Sequence, residues 1–432
     1  MRLFKAGEQG FNNYLLEVER RGAQDGLRLE REVRSILKDV QQRGDEALVH
    51  YTQIFDGVRI PIHKIKVNKR EMEKAYQNVH KEFLRTLEKA ARRILKFHQL
   101  LSKRLIPRYS SLEKGIKLGQ VIRPLERVGI YVPGGKASYP STVLMAAIPA
   151  KVAGVKEILM VTPPHKSGIN PATLVAADLA GVDQIYRVGG AQAIAALAYG
   201  TESIPKVDKI VGPGNQYVST AKKLVYGVVD IDMVAGPSEI LIISDENTPP
   251  SFLAADLISQ AEHDEKALAI LVTTSEEFGR KVRNELKRQL LSLKRKKIAH
   301  ASLFRRGAIL IVKDFNQAVD VINQIAPEHL ELSLSNPSSL IKGVKHAGAI
   351  FLGPYTPEAI GDYMAGPNHI LPTAGTARFS SPLGMEDFIK RTNLMGFTKL
   401  ALKRFEKDVK RFAEWEGLEG HYEAVRMRVK RP

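Results

Sequence analysis

The stretch "VGIYVPGG" (Val128–Gly135), followed by "YPSTVLMAAIPAKVAGV" (Tyr139–Val155), decides the fold. A short apolar run ends in a Pro-Gly-Gly turn, and Pro140 then opens a longer apolar segment, which reads as strand, turn and helix. The unit recurs. "EILMVTPP" (Glu157–Pro164) precedes "NPATLVAADLAGV", where Asn170 caps, Pro171 takes the first helical position and Gly181 stops the helix. "QIYRVGG" (Gln184–Gly190) leads into "AQAIAALAYG", and "KIVGPG" (Lys209–Gly214) into "NQYVSTAKKLVYG". Strands therefore begin near residues 128, 157, 184 and 209, with a helix in each interval. Strands joined by helices run parallel, so the spacing predicts a doubly wound α/β sheet.

A second series follows "AGPSE" (Ala235–Glu239): strand 239–244, helix 251–263, strand 267–273, helix 275–291, strand 308–312 and helix 315–325. Two Rossmann-like, doubly wound parallel-sheet domains are expected, with smaller helical parts at either end. The division predicted is an N-terminal helical arm over 1–25, a first α/β domain from 26–128 with 238–380, a second from 129–237, and a helical C-terminal part over 381–432. Thr248 is the expected N-cap of the helix that holds "SFLAADLISQAEH", with Pro249 at its first position.

The chain has 432 residues, 44% of them hydrophobic, and no cysteine. Disulfides, thiolate nucleophiles and thiolate metal sites are excluded, and a bound metal must use nitrogen or oxygen ligands. Charges scattered through the first 22 residues leave no secretory signal core, and the longest apolar stretch is broken by Pro149 and Lys151. A soluble, cytoplasmic protein with no membrane partner is expected. The formal charge of +18 would suit an acidic partner. Its densest runs, such as "LKRKKIAH" (Leu293–His300), lie on predicted helix surfaces or tails without interleaved aromatics, so no nucleic-acid partner is expected.

Four stretches could carry chemistry. Gln260 and His263, at i, i+3, share one helix face, an arrangement that also fits an ordinary polar helix end. "APEHLEL" sets Glu328 beside His329; in a regular strand they would point to opposite sides, and only an irregular entry would let both serve one site. "GDYMAGPNHILPTAGTARFSSPLG" is a long loop containing Asp362 and His369, with Tyr363, Met364, Ile370 and Phe379 to bury. "EGLEGHYEAV" supplies Glu416 and His421, which also fit a plain surface helix. Gln260, His263, Asp362 and His421 together would make a two-nitrogen, two-oxygen site suited to zinc. No G-x-G-x-x-G pattern is complete, but glycine turns at Gly134-Gly135, Gly189-Gly190 and Gly212-Gly214 end predicted parallel strands, where such sheets bind ligands.

In family order, "YVPGGKASYPSTVLM", "VGGAQAIAALAYGT", "VGPGN", "AGPSE", "SQAEHD", "APEHLEL", "GDYMAGPNHILPT", "GTARFSSPLG" and "EGLEGHYEAV" closely resemble the histidinol dehydrogenases over nearly the whole chain. The resemblance implies NAD-dependent oxidation of L-histidinol to L-histidine through the aldehyde, with zinc bound. It implies zinc ligands at Gln260, His263, Asp362 and His421, and an acid and base pair at Glu328 and His329. Cofactor contacts fall on Tyr131, Gln192 and Asn215. Ser238, His369 and Glu416 fall at the substrate, which His329 and the four ligands would also line. A homodimer with a shared active site is implied too. The rival reading is a dehydrogenase of the same fold acting on another small alcohol.

Overall fold

A computed structural model describes residues 1–22, 26–103, 109–110, 113–134 and 138–430; Gly135 of the first glycine turn, the Lys136-Ala137 pair of the motif around it and the proposed boundary at residue 25 lie outside these. The strands are β1 (Arg2–Lys5), β2 (Tyr109–Ser110), β3 (Ile116–Pro124), β4 (Arg127–Tyr131), β5 (Glu157–Thr162), β6 (Gln184–Arg187), β7 (Lys209–Val211), β8 (Asp230–Ile231), β9 (Glu239–Ser244), β10 (Leu268–Thr273), β11 (Ala308–Ile311), β12 (His329–Ser333), β13 (Ala349–Leu352) and β14 (Ile389–Phe397). Contacts group the chain into two compact units, Met1–Gln99 with Leu125–Phe388, and Leu100–Pro124 with Ile389–Pro432.

The first unit contains two parallel sheets, ordered β6-β5-β4-β7-β8 and β1-β11-β10-β9-β12-β13. The five-stranded sheet begins in its middle at β4, winds to one edge, then crosses back to add strands on the other side; the six-stranded sheet repeats this from β9, with the N-terminal β1 added beside β11 at its edge. The doubly wound class read from the sequence is therefore observed twice. The apolar runs are buried on both sides: every residue of β9, β10, β11 and β12 is buried.

The five-stranded sheet is covered on one face by helices Pro140–Ala153 and Pro171–Leu179, joined by Leu87, Ala90 and Ile94. Its other face packs on helices Gly190–Tyr199 and Gln216–Val225, joined by Val33, Ile36, Leu37 and Val40. Segment 26–128 was expected beside 238–380, yet its helical stripes bury on the five-stranded sheet. An amphipathic stripe reveals that a helix must bury, not which surface receives it. The expected N-terminal helical arm is partly strand: β1 lies parallel to β11, pairing Arg2 with Ala308.

The second unit departs from the all-helical C-terminal part expected. β14 runs antiparallel to β3, from Ile389 opposite Pro124 to Phe397 opposite Ile116. This ribbon lacks a regular burial alternation and depends on backbone pairing, so its sequence carries little period-two signal. Helices Lys399–Glu416 and Glu419–Val429 follow.

Local capping is mostly as read. Asn170 accepts from the Ala172 N–H at 2.8 Å. Thr248 is displaced as a cap by Pro249, with Pro250 as first helical residue, and its hydroxyl instead donates to the Ser333 carbonyl at 2.9 Å. Among the described residues, no helix is long and apolar enough to cross a membrane.

Candidate active site

β9 and β12 are neighbours, with His329 in register with Ile240, so the amino end of β12 meets that of β9. The irregular entry that would let Glu328 and His329 serve one site is present: Ala326 adopts a left-handed φ of +50° just before Pro327. Glu328 Oε2 accepts the Glu239 backbone N–H at 2.8 Å, and His329 Nδ1 lies 2.9 Å from the Glu239 carbonyl. Both side chains converge on one residue at the end of a strand. The Glu239 carbonyl can only accept, so Nδ1 carries the proton there and Nε2 presents its lone pair. Nε2 is buried with no hydrogen-bond partner among the described residues.

Helix Pro250–Ala261 runs back against the strands and brings Gln260 and His263 to the same end. Gln260 is wholly buried; with its amide turned so that both atoms find partners, the nitrogen donates to the Glu358 carboxyl group and the oxygen, 3.0 Å away, shares the Glu239 N–H with Glu328. The short helix Glu358–Tyr363 contributes Glu358 and Asp362. One ligand atom each from His263, Glu358 and Asp362 lie within 4.8 Å of one another, a geometry that could hold a metal ion. His369 is held by Nδ1, 3.0 Å from the Asp362 carbonyl, and by Nε2, 3.4 Å from Thr142 Oγ1. Ser238, half-buried, immediately precedes β9.

Burial sets the charge states. It pushes the Glu328 carboxyl well above the usual range, with Glu239 and Asp362 adding repulsion and the Glu239 N–H opposing the shift. Glu358 is raised likewise, first by burial and then by Asp362, Glu328, Glu331 and Asp256. His329 is lowered by burial, against an opposing pull from Asp362. A buried imidazole kept neutral beside carboxyls that resist ionisation is an acid–base arrangement.

Of the four ligand positions expected, Gln260, His263 and Asp362 come together in the first unit. His421 and Glu416 belong to the second, each exposed on its own helix, and neither is a member of this group. Glu358 was missed. Its signal was legible in "PEAIGDY", where Glu358 and Asp362 stand at i, i+4 after a proline, sharing one helix face.

A second set of residues lies at the carboxyl ends of β4 and β7. Tyr131 closes β4, and its hydroxyl accepts the Gly190 N–H at 3.2 Å. Gly212, at φ +110°, packs so tightly on the Tyr131 main chain that a Cβ would collide with it. Lys222 and Asp232 form a buried ion pair that grips this turn: Lys222 Nζ donates to the Gly212 carbonyl at 2.9 Å, and Asp232 accepts the Gly212 N–H at 2.7 Å. Asn215 caps helix Gln216–Val225, accepting from the Tyr217 and Val218 N–H groups at 3.0 and 3.1 Å. Gln192 is fully buried in the first turn of helix Gly190–Tyr199, and both its amide atoms lack a partner among the described residues. Two helix N-termini beside glycine turns and an unspent buried amide fit a phosphate-bearing dinucleotide.

Residues 19–429 match the sequence model of the family described as Histidinol dehydrogenase. The histidinol dehydrogenase of Bacillus cereus is 54% identical over 93% of this chain and 92% of its own. That of Syntrophotalea carbinolica is 52% identical over 100% and 99%. The crystal structure of histidinol dehydrogenase from Elizabethkingia anophelis superposes with a TM-score of 0.93 at 38% identity, covering 99% of this chain and 98% of that one.

Proposed function

The chain belongs to the histidinol dehydrogenase family, and from that premise we propose that it oxidises L-histidinol to L-histidine through the aldehyde, reducing two NAD. The observation that carries this reading is the convergence of Glu328 and His329 on Glu239 beside the His263–Glu358–Asp362 group. Zinc would be held by Gln260, His263 and Asp362, with His421 supplied by a second copy of the chain in a homodimer. NAD would lie along Tyr131, Gln192 and Asn215. When bound, zinc supplies a fixed anchor for the substrate's nitrogens and NAD accepts hydride from the reacting carbon.

His329 takes the hydroxyl proton on Nε2 as the alcohol carbon loses hydride, a task for a base that is neutral at working pH. The Glu239 carbonyl, accepting from Nδ1, stabilises the imidazolium so formed. The imidazolium then returns its proton to the aldehyde oxygen while Glu328, as the carboxylate, takes one from the attacking water, giving the hydrate and a neutral His329. His329 accepts a hydrate proton as the second hydride departs, leaving the carboxylic acid. Ser238, His369 and Glu416 border the substrate, and Glu358 orients Gln260 through its amide. We place this enzyme in the cytoplasm. Counting NADH against histidinol consumed tests the scheme: two per substrate with little free aldehyde are expected, and a ratio of one with aldehyde trapped by semicarbazide would overturn it.

A further inference from the structure

Arg21 and Glu239 form an ion pair deep in the first unit, with side-chain exposures of 3% and 4%. Arg21 Nε and Nη2 donate to the two carboxylate oxygens of Glu239 at 2.5 and 2.7 Å, and the Ala374 N–H donates to Oε1 at 3.1 Å. The guanidinium is itself fixed, donating to the Val18 and Ile325 carbonyls at 2.7 and 2.9 Å. Neither side chain has a part in the chemistry above. A buried ion pair is also poor evidence for stability, because well-packed apolar residues of similar volume often replace one without loss.

What distinguishes this pair is the main chain it anchors. Glu239 is the first residue of β9, and both its peptide groups face the catalytic pair, the N–H aiming Glu328 and the C=O aiming His329. We propose that Arg21 and Glu239 are positioning residues: their bidentate pair pins the opening peptides of β9, and those peptides set the placement of the acid and the tautomer of the base. The contact also ties the segment after helix Gln9–Glu19 and the loop at Ala374, left-handed at φ +54°, to the same point. The inference rests on the reading that Glu328 and His329 carry the proton transfers.

Arg21→Lys keeps the charge but loses the planar fork. In the zinc-loaded enzyme it is expected to lower kcat about tenfold to a hundredfold, the loss expected of catalytic groups displaced by up to an ångström. The KM for NAD should stay within about twofold, since Tyr131, Gln192 and Asn215 do not touch this pair. The acid limb of the kcat/KM profile should move, because the partner of His329 Nδ1 has moved, a readout that a purely structural pair would leave alone. The double variant Arg21→Met with Glu239→Gln removes both charges together, and is expected to melt near the parent yet remain slow. Parental kcat and pH profile in Arg21→Lys, or parental melting with parental kcat in the double variant, would overturn the inference alone. A parent that makes no NADH from histidinol, or a His329→Ala variant as active as the parent, would overturn the functional reading and this inference with it.

Discussion

In the five-stranded sheet, Tyr131 and the Gly212–Asn215 turn stand at the carboxyl ends of β4 and β7. In the six-stranded sheet, Glu239 and His329 stand at the amino ends of β9 and β12. The winding order is the same, so topology alone does not choose the working end. The choice follows polar groups left unspent. At the carboxyl end of β9 and β12, Ser335 donates its N–H and hydroxyl to Asp245 at 2.9 Å each, and Asn247 donates to Ser335 Oγ at 2.9 Å. The Ser244 hydroxyl donates to the Asp245 carbonyl at 2.8 Å. That crevice is closed on itself. At the amino end of the five-stranded sheet Asp208 accepts the Glu126 and Arg127 N–H groups at 3.1 Å, so these polar groups are spent on one another although they border a small cavity. At the other two ends, Gln192 and His329 Nε2 are buried without a partner among the described residues.

Chelation should separate the two sheets most sharply. Removing zinc is expected to abolish activity while the circular dichroism spectrum stays, because both sheets have apolar cores that need no metal to fold. A spectrum that collapses with the metal would mean that the amino end of the six-stranded sheet holds the fold as well as the chemistry.

His329→Ala should cost about 10²- to 10⁴-fold in the oxidation of both alcohol and aldehyde. Burial lowers the histidine from its ordinary value of 6.5, so the acid limb of kcat/KM should fall below pH 6.5. The sign for stability is the same: a folded value below the unfolded one contributes stability that is present above the unfolded pKa and lost as pH falls through it. Melting temperatures of parent and variant across that window check this: the parent should lose stability relative to the variant as pH falls, and a parent-minus-variant difference that shrinks with rising pH would contradict it.

Gln192→Ala acts at the other open end. The KM for NAD should rise about tenfold while kcat at saturating NAD and the KM for histidinol hold, the pattern for lost uniform binding. A matching rise in the histidinol KM would mean that the carboxyl end of the five-stranded sheet also receives substrate. The smallest effect on catalysis belongs to Asp245→Ala in the closed crevice. It should change turnover by less than about twofold while costing about 1–3 kcal/mol of stability through donors left unpaired, read as a lower melting temperature. A large kinetic effect there would break the distinction between open and closed ends.

Much of this was legible because the parallel strands announce themselves: "EILIIS" at β9 and "LAILVT" at β10 are apolar runs flanked by polar turns. Gln260, His263 and Asp362 were visible as residue types suited to a metal. Glu358 was overlooked although it stands at i, i+4 to Asp362; the spacing alone does not distinguish a ligand from a surface glutamate, and only the fold closes Gln260 and Glu331 around it. Arg21 is one of the charges scattered through the first 22 residues; only the fold buries it against Glu239, 218 residues away. β3 and β14 escaped for a related reason, since a ribbon held by its backbone writes little into its side chains.

The edge strand β1 has a consequence for the order in which the enzyme comes into being. Its partner β11 pairs Arg2 with Ala308, so on the ribosome β1 and the Arg21 segment behind it leave the exit tunnel long before either can dock. The five-stranded sheet, drawn from residues 127–231, is complete by then and can fold as an early unit. The six-stranded sheet must close a long-range pairing at the end, which is slow. The glycine-turn end of the five-stranded sheet can therefore form before the Arg21–Glu239 contact, which has to wait until β9 has been made.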